Sequence, residues 1–315
     1  MVDTRGVRSA RGMAIAGVLL AGACCCLAQS AASWASAVQN AAQGAPDARV
    51  VILDIRSGHL LAASHLDEAA RTLAAPGSTL KPLVLYGLVA GSRWDPARRV
   101  ACSRKLRIGG RSLDCSHPAA GPMDAQEALA WSCNSYFATV AAGLAPGELQ
   151  SLLASTGLLA QTGLAGGVQG SEATAEFRDP QNAEQRSLAL LGVEGIRVTP
   201  LEMASAYRWL AMQLAEHGDG TAAEVVRQGL KDSANFGMAG AASFGGVPVA
   251  GKTGTANVGP GTGSHGWFVG LAPADHPTVV VLIYLPAGRG ADAAHVAAEV
   301  LGHSPLRASV RAERR

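Results

Sequence analysis

The spacing of apolar and polar positions changes several times along the chain. Arg49 to Ile55 is a continuous run rich in β-branched residues, Arg56-Ser57-Gly58 reads as a turn, and His59 to Ser64 returns, which predicts a β-hairpin. From Gly77 the period becomes helical, with Leu80, Leu83, Val84, Gly87 and Leu88 recurring at steps of three and four until Gly91. Residues 125–142 and 147–157 also read as helical. Thr199-Pro200-Leu201-Glu202 is a capping box with proline at the first helical position, opening a helix that runs to about His217-Gly218. Strands return over Gly246 to Gly254, Gly266 to Leu271 and Thr278 to Leu285, and a last helix covers about Ala291 to Leu301.

Strands at both ends around a helical block predict an α/β fold. Its sheet is mainly antiparallel, built from both chain ends and flanked by helices, with an inserted, mostly helical subdomain. A cleft between sheet and insert follows, and small-molecule sites favour such interfaces. The expected organisation is a signal peptide or membrane anchor over 1–37, a short linker over 38–48, the main domain over 49–305, and a frayed basic tail over 306–315. The first segment rests on Arg5, Arg8 and Arg11, an apolar run from Met13 to Leu27, and Ala35-Ser36-Ala37, the order of a secretory signal with a mature start at Val38. An uncleaved anchor is the alternative, which associates the protein with the membrane through its N-terminus. Lipidation at Cys24-Cys25-Cys26 is disfavoured, because Ala21-Gly22-Ala23 lacks the large aliphatic residue usual before a lipidated cysteine.

Composition narrows the function classes. The 315 residues are 48% apolar and 16% charged, which suits a folded core rather than a disordered chain. A net charge of +2 and 4% aromatics leave neither the field nor the stacking surface for nucleic acid, so no nucleic-acid partner is expected. Past the first segment the cysteines are Cys102, Cys115 and Cys133; a Cys102–Cys115 bridge and free buried thiols both remain open. No C-x-x-C pair and no H-E-x-x-H occurs, so neither a metal site nor a cofactor is expected. His117 and His265 read as surface histidines in loops, and Cys133 as a small buried thiol.

Ser78-Thr79-Leu80-Lys81 puts a hydroxyl and an amine on one face at the start of the first helix. A serine is a poor nucleophile until a neighbouring base takes its proton, and a desolvated lysine is neutral enough to do so. S-x-x-K alone recurs by chance, but here it has company in a fixed order. Ser132-Cys133-Asn134 follows in the helical block, and Lys252-Thr253-Gly254-Thr255 follows on an apparent strand. Three walls of one cleft then carry nucleophile and base, a second hydroxyl and an amide, and a cation. Asn134 suits a substrate amide, Lys252 with Thr253 a carboxylate, and small Gly254 lets a substrate backbone lie against the strand.

On these residues the chain resembles the transpeptidase domain of penicillin-binding proteins, from about Arg49 to about Leu301. The resemblance is carried by Ala75-Pro76-Gly77-Ser78-Thr79-Leu80-Lys81-Pro82, Trp131 to Phe137, Val198 to Leu201, Val249 to Ala256 and Gly266 to Gly270. It implies that Ser78 attacks the carbonyl between the last two D-alanines of a peptidoglycan stem peptide, with Lys81 as base and Ser132 relaying a proton. The oxyanion would sit between the backbone N–H groups of Ser78 and Thr255. Peptidoglycan stem peptides and β-lactam antibiotics are the implied partners, and the periplasm or the outer face of the cytoplasmic membrane the implied location. It looks like a bare catalytic domain, so glycan polymerisation is not expected.

Three rivals compete. A serine β-lactamase of class A needs a second base, and no E-x-x-L-N segment lies between Asn134 and Lys252; class D usually has an apolar residue where Asn134 stands. Gly246 to Thr253 is a literal G-x-x-x-x-G-K-T match to a phosphate-binding loop, but glycines and a proline follow where that loop needs a helix. A non-turnover β-lactam sensor keeps the same fold, against which the intact nucleophile, base and K-T-G argue.

Overall fold

The β-branched run does form the first hairpin of a sheet, but a helix comes before it. The structure, a computed structural model, describes residues 33–118, 121–166, 172–257 and 263–313. Residues 1–32, most of the expected export segment, lie outside these. Helix α1 (33–44) leads into β1 (Arg49–Asp54) and β2 (Leu60–Ser64). Trp34, Val38 and Ala41 of α1 are buried among sheet residues, so the stretch read as a linker over 38–48 carries part of a packed helix. Among the described residues no helix is long and apolar enough to cross a membrane.

After α2 (Leu66–Arg71) comes a 3-10 turn, Gly77–Leu80, and α3 (Lys81–Ala90). The insert then holds short pairs and helices: β3 (Val100–Ala101), β4 (Arg107–Ile108), β5 (Arg111–Ser112), β6 (Pro122–Met123), α4 (Ala125–Ala130), α5 (Asn134–Ala142), α6 (Glu148–Ser155), β7 (Glu176–Phe177), α7 (Ala183–Leu190) and β8 (Ile196–Arg197). The helical stretch expected over 125–142 is thus broken at Trp131 to Cys133, where Ser132 takes φ 56°. A left-handed non-glycine residue cannot continue a helix, and this break turns the Ser132 side chain inward.

Helix α8 (Pro200–Glu216) begins at the predicted capping box, with Thr199 Oγ1 accepting from Glu202 N and Thr199 N donating to the Glu202 carboxylate. Helix α9 (Thr221–Asn235) and a second 3-10 turn, Gly240–Gly245, lead to β9 (Ala250–Asn257), β10 (Ser264–Ala272) and β11 (Val279–Leu285). The chain closes with α10 (Gly290–Gly302) and α11 (Pro305–Glu313). The tail expected to fray is therefore a helix over most of its length, with Leu306 and Val310 packed on the core and the Arg307 guanidinium on the Gly245 carbonyl.

The sheet is antiparallel in the order β2-β1-β11-β10-β9, so both chain ends build it, as the pattern predicts. Alternation along its strands makes two cores. Val51, Leu53, Trp267, Val269, Leu271, Val280 and Leu282 face the helical insert, whereas Val50, Ile52, Phe268, Val281 and Ile283 face α1 and α10. Strand β9 stands at the edge, beside the insert.

Candidate active site

Ser78 lies in the 3-10 turn just ahead of α3 and is partly exposed, while its neighbours Gly77, Thr79 and Leu80 are buried. The turn is fixed from several sides. Gly77, at φ 57°, donates to the Gly192 carbonyl at 2.9 Å. The Ala75 carbonyl accepts from His265 Nε2 at 2.8 Å and from Trp267 Nε1 at 3.0 Å, and Tyr207 of α8 donates its hydroxyl to the Thr79 carbonyl at 2.9 Å. Residues from β10 and α8 thus hold a turn far away in sequence.

Lys81, the first residue of α3, is fully buried. Its Nζ donates to Asn134 Oδ1 at 2.7 Å and the Ser132 carbonyl at 2.8 Å, and lies 3.3 Å from Ser132 Oγ. Lys252 on β9 is equally buried and donates to the same Ser132 Oγ at 2.7 Å and to the Thr253 carbonyl at 3.0 Å. Burial pushes the Lys81 ammonium down to about 7, although the nearby Cys133 and Cys115 thiols pull the other way. Burial likewise holds Lys252 well below the ordinary lysine range, and the Lys81 charge adds to it. Asn134 is engaged at both ends of its amide: Oδ1 accepts from Lys81, and Nδ2 donates to the Leu113 carbonyl at 3.0 Å.

Ser78, Ser132, Asn134, Thr253 and Thr255 line one cavity of about 460 Å³, whose far wall is Arg111 to Ser116. The carboxylate of Asp114 in that wall is tied to Lys105 Nζ at 2.9 Å and Leu106 N at 3.0 Å. The structure therefore brings seven predicted residues around one space, Lys81 and Lys252 beneath it at Ser132. Gly254 is the exception to its expected use. A Cβ there would meet the Pro76 carbonyl oxygen at 2.5 Å and Thr79 Cγ2 at 3.0 Å, so its missing side chain admits the Ser78 turn rather than a substrate backbone.

Several side chains depart from the expectations. His265 and His117 are buried, not surface groups: His265 sits on the Ala75 carbonyl, and burial lowers its pKa. Cys102, Cys115 and Cys133 are all free thiols, so the Cys102–Cys115 bridge is not formed; Cys133 is buried, as expected. Their ligand atoms and one of His117 lie within 4.8 Å of one another, a grouping that could hold a metal ion where the sequence reading expected no metal site. No short-range motif signals this cluster, because its members come from three segments that meet only in the fold. The G-x-x-x-x-G-K-T match runs into strand β9, with Lys252 turned onto Ser132, and no helix starts there. It is not a phosphate-binding loop.

Comparison with known proteins bears on the family and the fold. The family model described as penicillin binding protein transpeptidase domain matches residues 48–303. Among solved structures, the chain is similar to the transpeptidase domain of penicillin-binding protein 3 from Burkholderia pseudomallei, with a TM-score of 0.74 at 20% identity over 90% of this chain and 95% of that one. A peptidoglycan glycosyltransferase from Burkholderia ambifaria gives a TM-score of 0.73 at 20% identity, over 91% and 96%. A peptidoglycan synthase complex that coordinates polymerization and crosslinking gives 0.67 at 22%, over 86% of this chain and 59% of that one. No curated protein matches the chain.

Proposed function

Because the chain belongs to the penicillin-binding protein transpeptidase domain family, we propose that it is a serine acyl-transferase acting on the D-Ala-D-Ala end of peptidoglycan stem peptides. It passes the acyl group either to an amine, as a D,D-transpeptidase, or to water, as a D,D-carboxypeptidase. The observation that carries this reading is the meeting of two buried lysines at Ser132 Oγ, on the floor of the cavity that Ser78 lines.

Neutral Lys81 takes the Ser78 proton as Ser78 Oγ bonds to the scissile carbonyl carbon, and the carbonyl electrons move onto its oxygen. The backbone N–H groups of Ser78 and Thr255 are the donors we assign to that oxyanion. The C–N bond then breaks. Ser132 hands its proton to the leaving D-alanine nitrogen and is reprotonated from Lys81, 3.3 Å away. The second Nδ2 hydrogen of Asn134 is left for a substrate amide after the Leu113 bond. Lys252 with Thr253 receives the substrate carboxylate, whose charge restores the lysine proton that burial disfavours.

β-Lactams acylate the same Ser78, and the substrate puts the site of action in the periplasm or on the outer face of the cytoplasmic membrane. Intact-mass spectrometry after benzylpenicillin tests the reading. A stable adduct mapped to Ser78, and absent from Ser78→Ala, is expected. An adduct that clears within seconds makes the protein a β-lactamase instead, and labelling retained by Ser78→Ala overturns the mechanism.

A further inference from the structure

We propose that Cys102, Cys115, His117 and Cys133 form a structural zinc site in the wall of the catalytic cleft. Cys102 is partly buried and the other three are buried, and all four ligand atoms lie within 4.8 Å of one another. Cys115 Sγ lies 3.9 Å from Cys133 Sγ, and Cys102 Sγ lies 3.5 Å from His117 Nε2. With zinc–sulfur bonds of about 2.3 Å and zinc–nitrogen bonds of about 2.0 Å, the edges of a zinc tetrahedron are about 3.8 Å between sulfurs and about 3.5 Å from sulfur to nitrogen. Both contacts match edges of that tetrahedron before any metal is added.

The donor chemistry narrows the metal. Three thiolates and one imidazole select zinc over the hard cations that take carboxylates. Four protein donors leave no open position, which is the pattern of a structural rather than a catalytic zinc. The surroundings complete it: Asn134 N donates to Cys115 Sγ at 3.2 Å, and Ser135 Oγ lies 3.8 Å from Cys102 Sγ and 3.9 Å from Cys115 Sγ. Donors of this kind orient thiolate ligands and spread their charge.

The site has work to do in this fold. The only regular structure in the segment from Cys102 to His117, all of it among the described residues, is the two-residue strands β4 and β5, with hydrogen bonds such as Leu106 N to Asp114 and Asn134 Nδ2 to Leu113 beside them. Yet the segment forms the cavity wall from Arg111 to Ser116. Cys133 lies between Ser132 and Asn134, at the N-terminus of α5. A metal here fastens that wall to the break in the helix that presents Ser132 to both lysines. The inference stands on the four ligands alone and does not need the acyl-transfer reading.

The test is the metal content of the full chain purified without chelators, followed by cobalt substitution. About one zinc per chain is expected after gel filtration, together with the charge-transfer and visible bands of a tetrahedral thiolate–cobalt centre. Cys24, Cys25 and Cys26 are controlled by a triple serine variant, which keeps the metal. Cys115→Ser loses it, and His117→Cys keeps it with a shifted cobalt spectrum, which separates lost ligation from lost folding. A chain that takes up no zinc when it is supplied under reducing conditions overturns the proposal. So does a Cys115–Cys133 disulfide in zinc-supplied protein, iron or copper in place of zinc, or zinc retained by Cys115→Ser. Penicillin acylation is not part of this readout, so either reading can fail without the other.

Discussion

Lys81 and Lys252 are fully buried, share Ser132 as a partner, and have no ion-pair partner among the described residues. Two ammonium ions so close in a dry setting repel each other and both lose hydration, so proton loss relieves the site. For Lys81 the consequence is a base that becomes available near neutrality. Acylation by benzylpenicillin should rise with pH through about 7 as Lys81 deprotonates, and Lys81→Arg, which stays charged, should lack that limb. The sign for stability is the same. An unfolded Lys81 holds its proton up to about 10.5 while the buried one releases it near 7, so the unfolded chain binds more protons between these values and this group adds stability as pH rises. Stopped-flow acylation across that range checks the first statement; a flat profile would remove Lys81 as the base.

At the scale of elements, the active surface is made where a strand, a 3-10 turn and a helix break touch. Strand β9 reaches the Ser78 turn because Gly254 carries no side chain: the Pro76 carbonyl oxygen stands 2.5 Å from where a Cβ would be. Gly254→Ala therefore pushes turn and strand apart, and displacement of a nucleophile by even about 1 Å costs on the order of 10²-fold in rate. Slowed acylation in a chain with unchanged circular dichroism is the expected outcome, and an unchanged rate would show that the contact does not position Ser78. The residue pattern predicts a helix through 125–142, although Trp131 to Ser135 are weaker helix formers than the alanine-rich turns on either side. Long-range partners fix the break at Ser132, since Lys81 and Lys252 hold its hydroxyl and Asn134 is tied to Leu113 and Cys115.

At the scale of the molecule, one sheet separates two cores, and the second depends on residues near the N-terminus. Trp34 is 2% exposed and packs with Val50, Ile52 and Ile283 in that core. Trp34→Ala should cost about 3–5 kcal/mol. Equilibrium denaturation, read as a lower midpoint at unchanged slope, checks it. A mature start at Val38 removes the same side chain, so the folded protein is expected to retain Trp34, which N-terminal sequencing reads directly. The first core faces the insert and carries the site, and Trp267 serves both, burying its ring there while its Nε1 holds the Ala75 carbonyl.

What the sequence by itself determined is what neighbours along the chain decide. The β-branched runs become strands and Thr199 to Glu202 caps α8; Ser78, Lys81, Ser132, Asn134, Lys252, Thr253 and Thr255 are legible as three motifs in a fixed order, and the fold brings them to one cleft. Tertiary structure alone decided the 3-10 turn at Ser78, the left-handed Ser132, the buried His265, and the use of Gly254 as a packing contact. It alone gathered Cys102, Cys115, His117 and Cys133, whose separations match no short motif. The reason is physical. Periodicity and capping act over a few residues, whereas these features are set by contacts between the sheet and the insert, where burial and hydrogen bonding outweigh local preference.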